Sequence, residues 1–311
     1  MAATHVFRES FIFGHKELTH WFPSHMARSM KKMQGSMKKV DCVVEVHDAR
    51  LPFAGRNPAF RETFGIKPHL LILNKKDLAD TASSNDIRKR LQDEGGIEHV
   101  MFTNCVQQNS PSAKKIIPTV IDIIEGGERF NRSENQEYSI MVVGIPNVGK
   151  SSLINALRRI HVKRGKGTKV GRLPGVTRSL MQKILVSEQP RMWLFDTPGI
   201  TTPFIQNVEV GMKLAMMGTL QDHMVGTELI ADYVLFTLNR LQKFRYVDVY
   251  DMTEPCDDID GVLAGIARKF GKVRKLKTYE GSRRDILDLH AAAQILVRDF
   301  RKGVLGRISV D

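Results

Sequence analysis

Apolar positions obey two different rules along this 311-residue chain. Up to about residue 205, short apolar runs alternate with amphipathic stretches of helical period; beyond it only the helical period remains. Residues 40–47 read as a buried strand running into the loop Asp48-Ala49-Arg50-Leu51-Pro52, with a helix expected near residues 58–64. Residues 69–73 predict a second strand, which ends on Asn74-Lys75-Lys76-Asp77. A charged helix around 86–93, a strand over 99–102 and a helix over 116–124 follow, Pro118 being tolerable only in the first turn of the last. Residues 126–137 are polar and patternless, a linker into the strand 138–143. Leu153, Ile154 and Leu157 then recur at helical spacing, and residues 180–186 and 192–195 read as two further strands.

This alternation implies an α/β fold: a mostly parallel six-stranded sheet with helices on both faces. Ligands of such sheets sit at the carboxyl ends of the strands, where the loops after Leu73, Phe102 and Val143 can converge. In the second regime Leu229, Ile230, Tyr233, Val234, Leu238 and Leu241 form one apolar face, and Ile286, Leu289, Ala293, Leu296 and Phe300 another. An all-helical domain over 206–311 is expected, after a domain over 40–205. Residues 1–39 form an N-terminal segment in which Ser24 can cap a basic amphipathic helix carrying Met26, Met30, Met33 and Met37 on one stripe.

A net charge of +13 and a pI near 9.7 exceed what a single nucleotide requires and point to a polyanion or an anionic membrane surface. The charge is concentrated in residues 161–174, without an acid, and 268–284, with eight basic residues against one acid. Only Phe270 and Tyr279 interleave the second stretch, so RNA would be recognised by shape and backbone; a solvated face or an anionic-lipid patch stays open. Cys42, Cys105 and Cys256 are scattered, which suggests neither a disulfide framework nor a zinc site. No apolar run approaches the ~18 residues that span a bilayer. Arg8 and Lys16 alternate with Glu9 and Glu17, a poor composition for a transit peptide.

The chemistry centres on Gly144-Ile145-Pro146-Asn147-Val148-Gly149-Lys150-Ser151-Ser152, a phosphate loop between a strand and a helix. Gly149 lets the backbone approach the phosphates, and the N–H groups from Asn147 and Val148 to Ser152 face the anion. Lys150 reaches the β/γ-phosphates, and Ser151 can ligate Mg²⁺. Asn74-Lys75-Lys76-Asp77 has the form that selects guanine: Asp77 accepts from the base, and Asn74 braces the adjoining loops. Thr103, Asn104 and Cys105 are expected to touch the base through backbone. Asp196 supplies an acid to the Mg²⁺ shell, Gly199 an N–H to the γ-phosphate, and Thr177 a hydroxyl from a loop able to close over the metal.

The set resembles a translational-type GTPase in which the guanine box precedes the phosphate loop, the order of the circularly permuted GTPases. Trp21-Phe22-Pro23-Ser24-His25-Met26-Ala27, Asp48-Ala49-Arg50-Leu51-Pro52, residues 144–152 and Asp196-Thr197-Pro198-Gly199-Ile200 carry a likeness over nearly the whole chain. They are similar to the ribosome biogenesis GTPase A (YlqF/RbgA-like) family, above all its animal mitochondrial, Mtg-type branch. That family usually has Gly where this chain has Ser24.

The resemblance implies GTP-dependent maturation of the mitochondrial large ribosomal subunit at the matrix face of the inner membrane. Its implied partners are GTP/GDP, that subunit and its rRNA, with a peripheral membrane contact and a monomeric chain. Ile200 stands where many GTPases carry a water-orienting Gln, and the resemblance nominates His25 as the substitute. Asn147 resembles the phosphate-loop Asn that helps hold K⁺ near the phosphates. Permutation wires the segment after Asp196 into the helical domain, so loss of the γ-phosphate should release Thr177 and Gly199 and reorient the helices. The competing function is a nucleotide-gated RNA or membrane tether in which hydrolysis is incidental. A permuted GTPase of the small subunit would usually bring an OB-like domain and a zinc knuckle, against which the three unclustered cysteines argue.

Overall fold

The computed structural model describes residues 7–13, 35, 37–56, 64, 67–80, 82–107, 109–127, 129, 136–162, 182–196, 205–277 and 283–311. Several expected features therefore lie outside the described residues: His25, Thr177, Gly199, the side chain of Asp196, the helix after Ser24 as far as Met33, and the basic loop from Lys163 onward. The chain divides into two compact units.

The first unit is built on a six-stranded sheet of order β3-β2-β1-β4-β6-β5. Its strands are β1 (Cys42–Asp48), β2 (His69–Asn74), β3 (Val100–Phe102), β4 (Tyr138–Val143), β5 (Gln182–Ser187) and β6 (Met192–Asp196). All pairings are parallel except β5 with β6, which is antiparallel with an irregularity at Leu185/Ser187. The mostly parallel sheet expected from the alternation is thus observed, and the reason is visible in β1, where all seven residues are buried, as a strand covered on both faces requires. One side packs Met37, Val40, Val43, Phe64, Met141 and Val143 together. A second cluster on that same side buries Leu71, Leu73 and Phe102 against Ile87 and Leu91 of α1 (Ser84–Asp93).

Among the described residues this unit also holds the α-helices α2 (Pro111–Lys114), α3 (Ile116–Glu125) and α4 (Lys150–His161). Pro118 is the third residue of α3, in the turn whose N–H groups have no helical partner. Leu153, Ile154, Ala156 and Leu157 form the buried stripe of α4. A buried charge survives at the centre of β1: Glu45 accepts from Arg56 Nε at 2.9 Å and Nη2 at 3.0 Å, and lies 3.1 Å from His69 Nε2. Burial opposes its ionisation, but Arg56 and His69 hold the carboxyl well below the ordinary range.

The second unit holds α5 (Val208–Met216), α6 (Asp222–Val225), α7 (Thr227–Arg240), α8 (Arg245–Val249), α9 (Ile259–Lys269), β7 (Val273–Lys277), β8 (Arg283–Leu287) and α10 (Leu289–Arg301). Side-chain oxygens start three of these helices: Asn207 accepts from Val210 N at 2.9 Å, Asp258 from Gly261 N at 3.0 Å and Asp288 from Ala291 N at 3.0 Å. Helix α7 is buried almost all round, including Ile230, Tyr233, Val234 and Leu238 of the expected face, and packs against α5 and α10. Leu241 instead caps the helix and is exposed. The helical character is as expected, with one correction to the all-helical expectation: β7 and β8 pair as an antiparallel hairpin. Ile286 belongs to β8, so the face read as continuous from Ile286 to Phe300 starts in a strand.

Residues 7–13 pack on this helical unit. Arg8 donates to Asp257 from its backbone N at 2.7 Å and Nε at 3.0 Å, and to Asp232 from Nη2 at 2.8 Å. Its guanidinium lies over Phe11 and Phe236, and Phe11 meets Tyr233 edge-on.

Candidate functional site

The carboxyl ends of β1, β2, β3 and β4 are neighbours, and the loops leaving them are joined through one side chain. Asn74, the last residue of β2, is 1% exposed. Its Nδ2 donates to the carbonyl of Val148 at 3.0 Å, while its Oδ1 accepts from Cys105 N at 3.1 Å and Thr103 Oγ1 at 3.2 Å. The tetrapeptide loop, the phosphate loop and the loop after β3 therefore share a hub of satisfied hydrogen bonds, in surroundings where an unmet amide would carry a full desolvation penalty.

The phosphate loop has the backbone its glycines foretell. Gly144 has φ +150°, and a Cβ there would sit 2.2 Å from the Val46 carbonyl oxygen. Gly149 has φ +100°, and its Cβ would lie 2.3 Å from Asn74 Nδ2. Gly149 is thus required by the Asn74 brace as well as by phosphate approach, a reason invisible in the motif alone. Asn147 is also left-handed, with φ 62°, and exposed. Lys150 Nζ donates back to the carbonyls of Gly144 at 2.6 Å and Ile145 at 2.9 Å, so its ammonium lies over the loop. Helix α4 begins at Lys150 with no acid in its first turn and with an exposed Ser151, an anion-binding end with a hydroxyl at its rim.

Asp77 is exposed at the end of a loop pinned by Lys76 N to the Thr103 carbonyl at 3.0 Å and Leu78 N to the Lys75 carbonyl at 2.9 Å. Asn104 Oδ1 accepts from Val106 N at 3.2 Å and Gln107 N at 3.3 Å, which shapes the third loop. Parallel pairing sets Asp196 opposite Val142, so the end of β6 lies beside the strand that feeds the phosphate loop. Mg²⁺ takes few protein ligands and is completed by phosphates and water. The exposed Ser151 hydroxyl and the backbone position of Asp196 fit that pattern.

The sequence alone assigns Asp48 and Arg50 no chemical role, only a place in the loop after β1 and in the family likeness. Arg50 is 1% and Asp48 3% exposed, and Asp48 Oδ2 also lies 3.0 Å from Lys75 Nζ. Burial opposes ionisation of Asp48, but Arg50 and Lys75 hold its carboxyl far below the ordinary range. The signal available was an Arg two positions after an acid at a strand end, and it does not reveal the partner at residue 75. A cavity of about 660 Å³ near Lys67, His69, His99 and Asp122 lies at the amino ends of β2 and β3, away from all of these loops.

The family model for 50S ribosome-binding GTPases matches residues 139–269, a span that starts at the phosphate-loop strand and leaves out the guanine-type tetrapeptide. A mitochondrial ribosome-associated GTPase 1 of Ictalurus punctatus is 51% identical over 99% of this chain and 97% of its own length. One of Bos taurus is 50% identical over 98% and 92%, and a mitochondrial GTPase 1 of Schizosaccharomyces japonicus is 30% identical over 94% and 90%. A solved structure described as GDP-bound TM YlqF superposes with a TM-score of 0.55 over 90% of this chain and 98% of that one; at 20% identity it bears on fold alone.

Proposed function

This chain belongs to the mitochondrial ribosome-associated GTPase family, and from that premise we propose that it is a GTP-hydrolysing assembly factor of the mitochondrial large ribosomal subunit. It is a GTPase with a circularly permuted P-loop domain, and GTPase chemistry of this kind uses Mg²⁺. The observation that carries the reading is the Asn74 hub, which gathers a guanine-type tetrapeptide and a phosphate loop around one site. Within it Asp77 accepts from the base, with Lys75 and residues Thr103, Asn104 and Cys105 alongside. The N–H groups of the α4 terminus and Lys150 hold the phosphates.

When bound, Mg²⁺ would neutralise charge on the terminal phosphates, with Ser151, Thr177 and Asp196 as the protein groups near it. His25 orients the attacking water, the role left open by Ile200, and Gly199 senses the γ-phosphate. Asn147 would help hold a K⁺, which when bound would supply positive charge beside the phosphates. The basic hairpin and the basic loop at 161–174 bind rRNA phosphates, and the fold places Arg274, Lys275 and Arg284 exposed on that hairpin. Mitochondrial residence, the matrix side of the inner membrane, a peripheral membrane contact, regulation of mitochondrial translation and a monomeric state belong to the same proposal.

Slow intrinsic GTP turnover is expected, raised by purified mitochondrial large subunits and by K⁺ over Na⁺. His25→Ala should lower turnover by about 10²-fold or more with GTP affinity retained. A rate indifferent to large subunits would remove the assembly role. Undiminished function of His25→Ala after loss of turnover would favour a tether.

A further inference from the structure

The Asp48-Ala49-Arg50 motif has so far no part in the reaction, although its two charges are among the most deeply buried of the nucleotide-binding unit. A buried ion pair is a weak way to stabilise a fold, since apolar groups of similar volume do as well or better. The geometry shows another use. Arg50 fixes the Asp48 carboxylate with three donors, N at 3.1 Å, Nε at 3.0 Å and Nη2 at 2.8 Å. The Oδ2 oxygen of that fixed carboxylate lies 3.0 Å from Lys75 Nζ. Lys75 itself sits at φ 61°, a left-handed conformation that a lysine does not adopt without support. Its loop is tied to the end of β1 by Ala49 N donating to the Asn74 carbonyl at 2.8 Å, and to the β3 loop by Lys76 N.

We infer that Asp48, oriented by Arg50, is a positioning residue for the guanine nucleotide: it holds Lys75 and the strained turn that presents Asp77 in their binding pose before the base arrives. This rests on the reading of residues 74–77 as the guanine box. Because Asp48 terminates β1 and the box terminates the neighbouring β2, the support comes from an adjacent parallel strand and not from the box's own loop. A long side chain and a turn ordered in advance need not be ordered on binding, and affinity gains accordingly.

The test is a double-mutant cycle on GDP affinity by calorimetry, with Asp48→Asn, Lys75→Gln and the pair. Asp48→Asn should weaken GDP by about tenfold with Lys75 present and by less than about twofold with Gln at 75, because the effect passes through Lys75. In steady state it should raise KM for GTP with kcat held within about twofold. Equal losses in both backgrounds, tracking nucleotide-free thermal stability, would mean a structural pair only and overturn the inference. Arg50→Lys, which keeps the charge and loses the fork, runs the same cycle if Asp48→Asn does not fold. Wild-type protein that binds no GDP would overturn the guanine-box reading itself, whereas binding with additive losses overturns this inference alone.

Discussion

At the scale of single residues, the site depends on whether Asn74 and Gly149 can share one space. Gly149→Ala places a methyl group 2.3 Å from Asn74 Nδ2 at a φ of +100°, so both the steric contact and the backbone oppose it. A loss of about 2 to 4 kcal/mol in unfolding free energy is expected, from left-handed strain of ~1–2 kcal/mol and the broken buried bond to Val148. Asn74→Ala combined with Gly149→Ala should recover part of that stability, since the clash is gone, yet bind no guanine nucleotide. Denaturant melts and GDP calorimetry on the single and double variants check this; a double variant no more stable than Gly149→Ala would refute the shared-space account. The glycines and Lys150 were legible in the sequence because a phosphate loop fixes residue types at short spacing, and Asn74 because it opens the guanine-type tetrapeptide at a strand end. Asp48 and Arg50 were not, because their partner at 75 is remote in sequence and spacing carries no trace of it.

At the scale of elements, the strands were legible to within a residue or two, since buried parallel strands are continuous apolar runs. The hairpin of β7 and β8 was hidden: Val273, Leu276, Ile286 and Leu287 are its only large apolar residues among a crowd of Lys and Arg, and no alternation survives. Equally hidden was the docking of residues 7–13, because Arg8 meets Asp257 across 249 positions. That contact makes a prediction with a sign. Burial disfavours the Asp257 carboxylate, but bonds from Arg8 and Asn239 overcome it and lower its pKa. A lowered folded pKa adds stability that is complete above the ordinary carboxylate value and is lost as pH falls through the folded one. Arg8→Ala should therefore loosen α7 by about 1 to 2 kcal/mol at neutral pH, a figure discounted because Arg8 is 34% exposed. The difference from wild type should shrink below about pH 4. Hydrogen exchange of α7 amides measures it, and a difference that grows on acidification would contradict the clamp.

At the scale of the whole molecule, chain order matters more than any one contact. The guanine box closes β2 early in the chain, the phosphate loop follows β4, and after Asp196 at the end of β6 the next described element is α5 of the helical unit. In the unpermuted order the proposed γ-phosphate sensor would run on into another strand of the same sheet; here the next described element after it is a helix of a different unit. If Gly199 senses the γ-phosphate as proposed, a change there can pass along the chain toward Ile205 and the Asn207 cap of α5. Nucleotide state should therefore be read in α5 and then in α7, which packs directly on it. A coupling of about 1 kcal/mol, at the lower end of usual allosteric values, would change amide protection there about fivefold between a non-hydrolysable GTP analogue and GDP, each at saturation. Asn207→Ala, which removes the cap, should shrink that contrast by fraying the first turn through which it passes, while leaving both nucleotide affinities within about twofold. Identical exchange of α5 and α7 in the two nucleotide states would mean that the permuted connection transmits nothing, and the helical unit would then act as a passive RNA-binding arm.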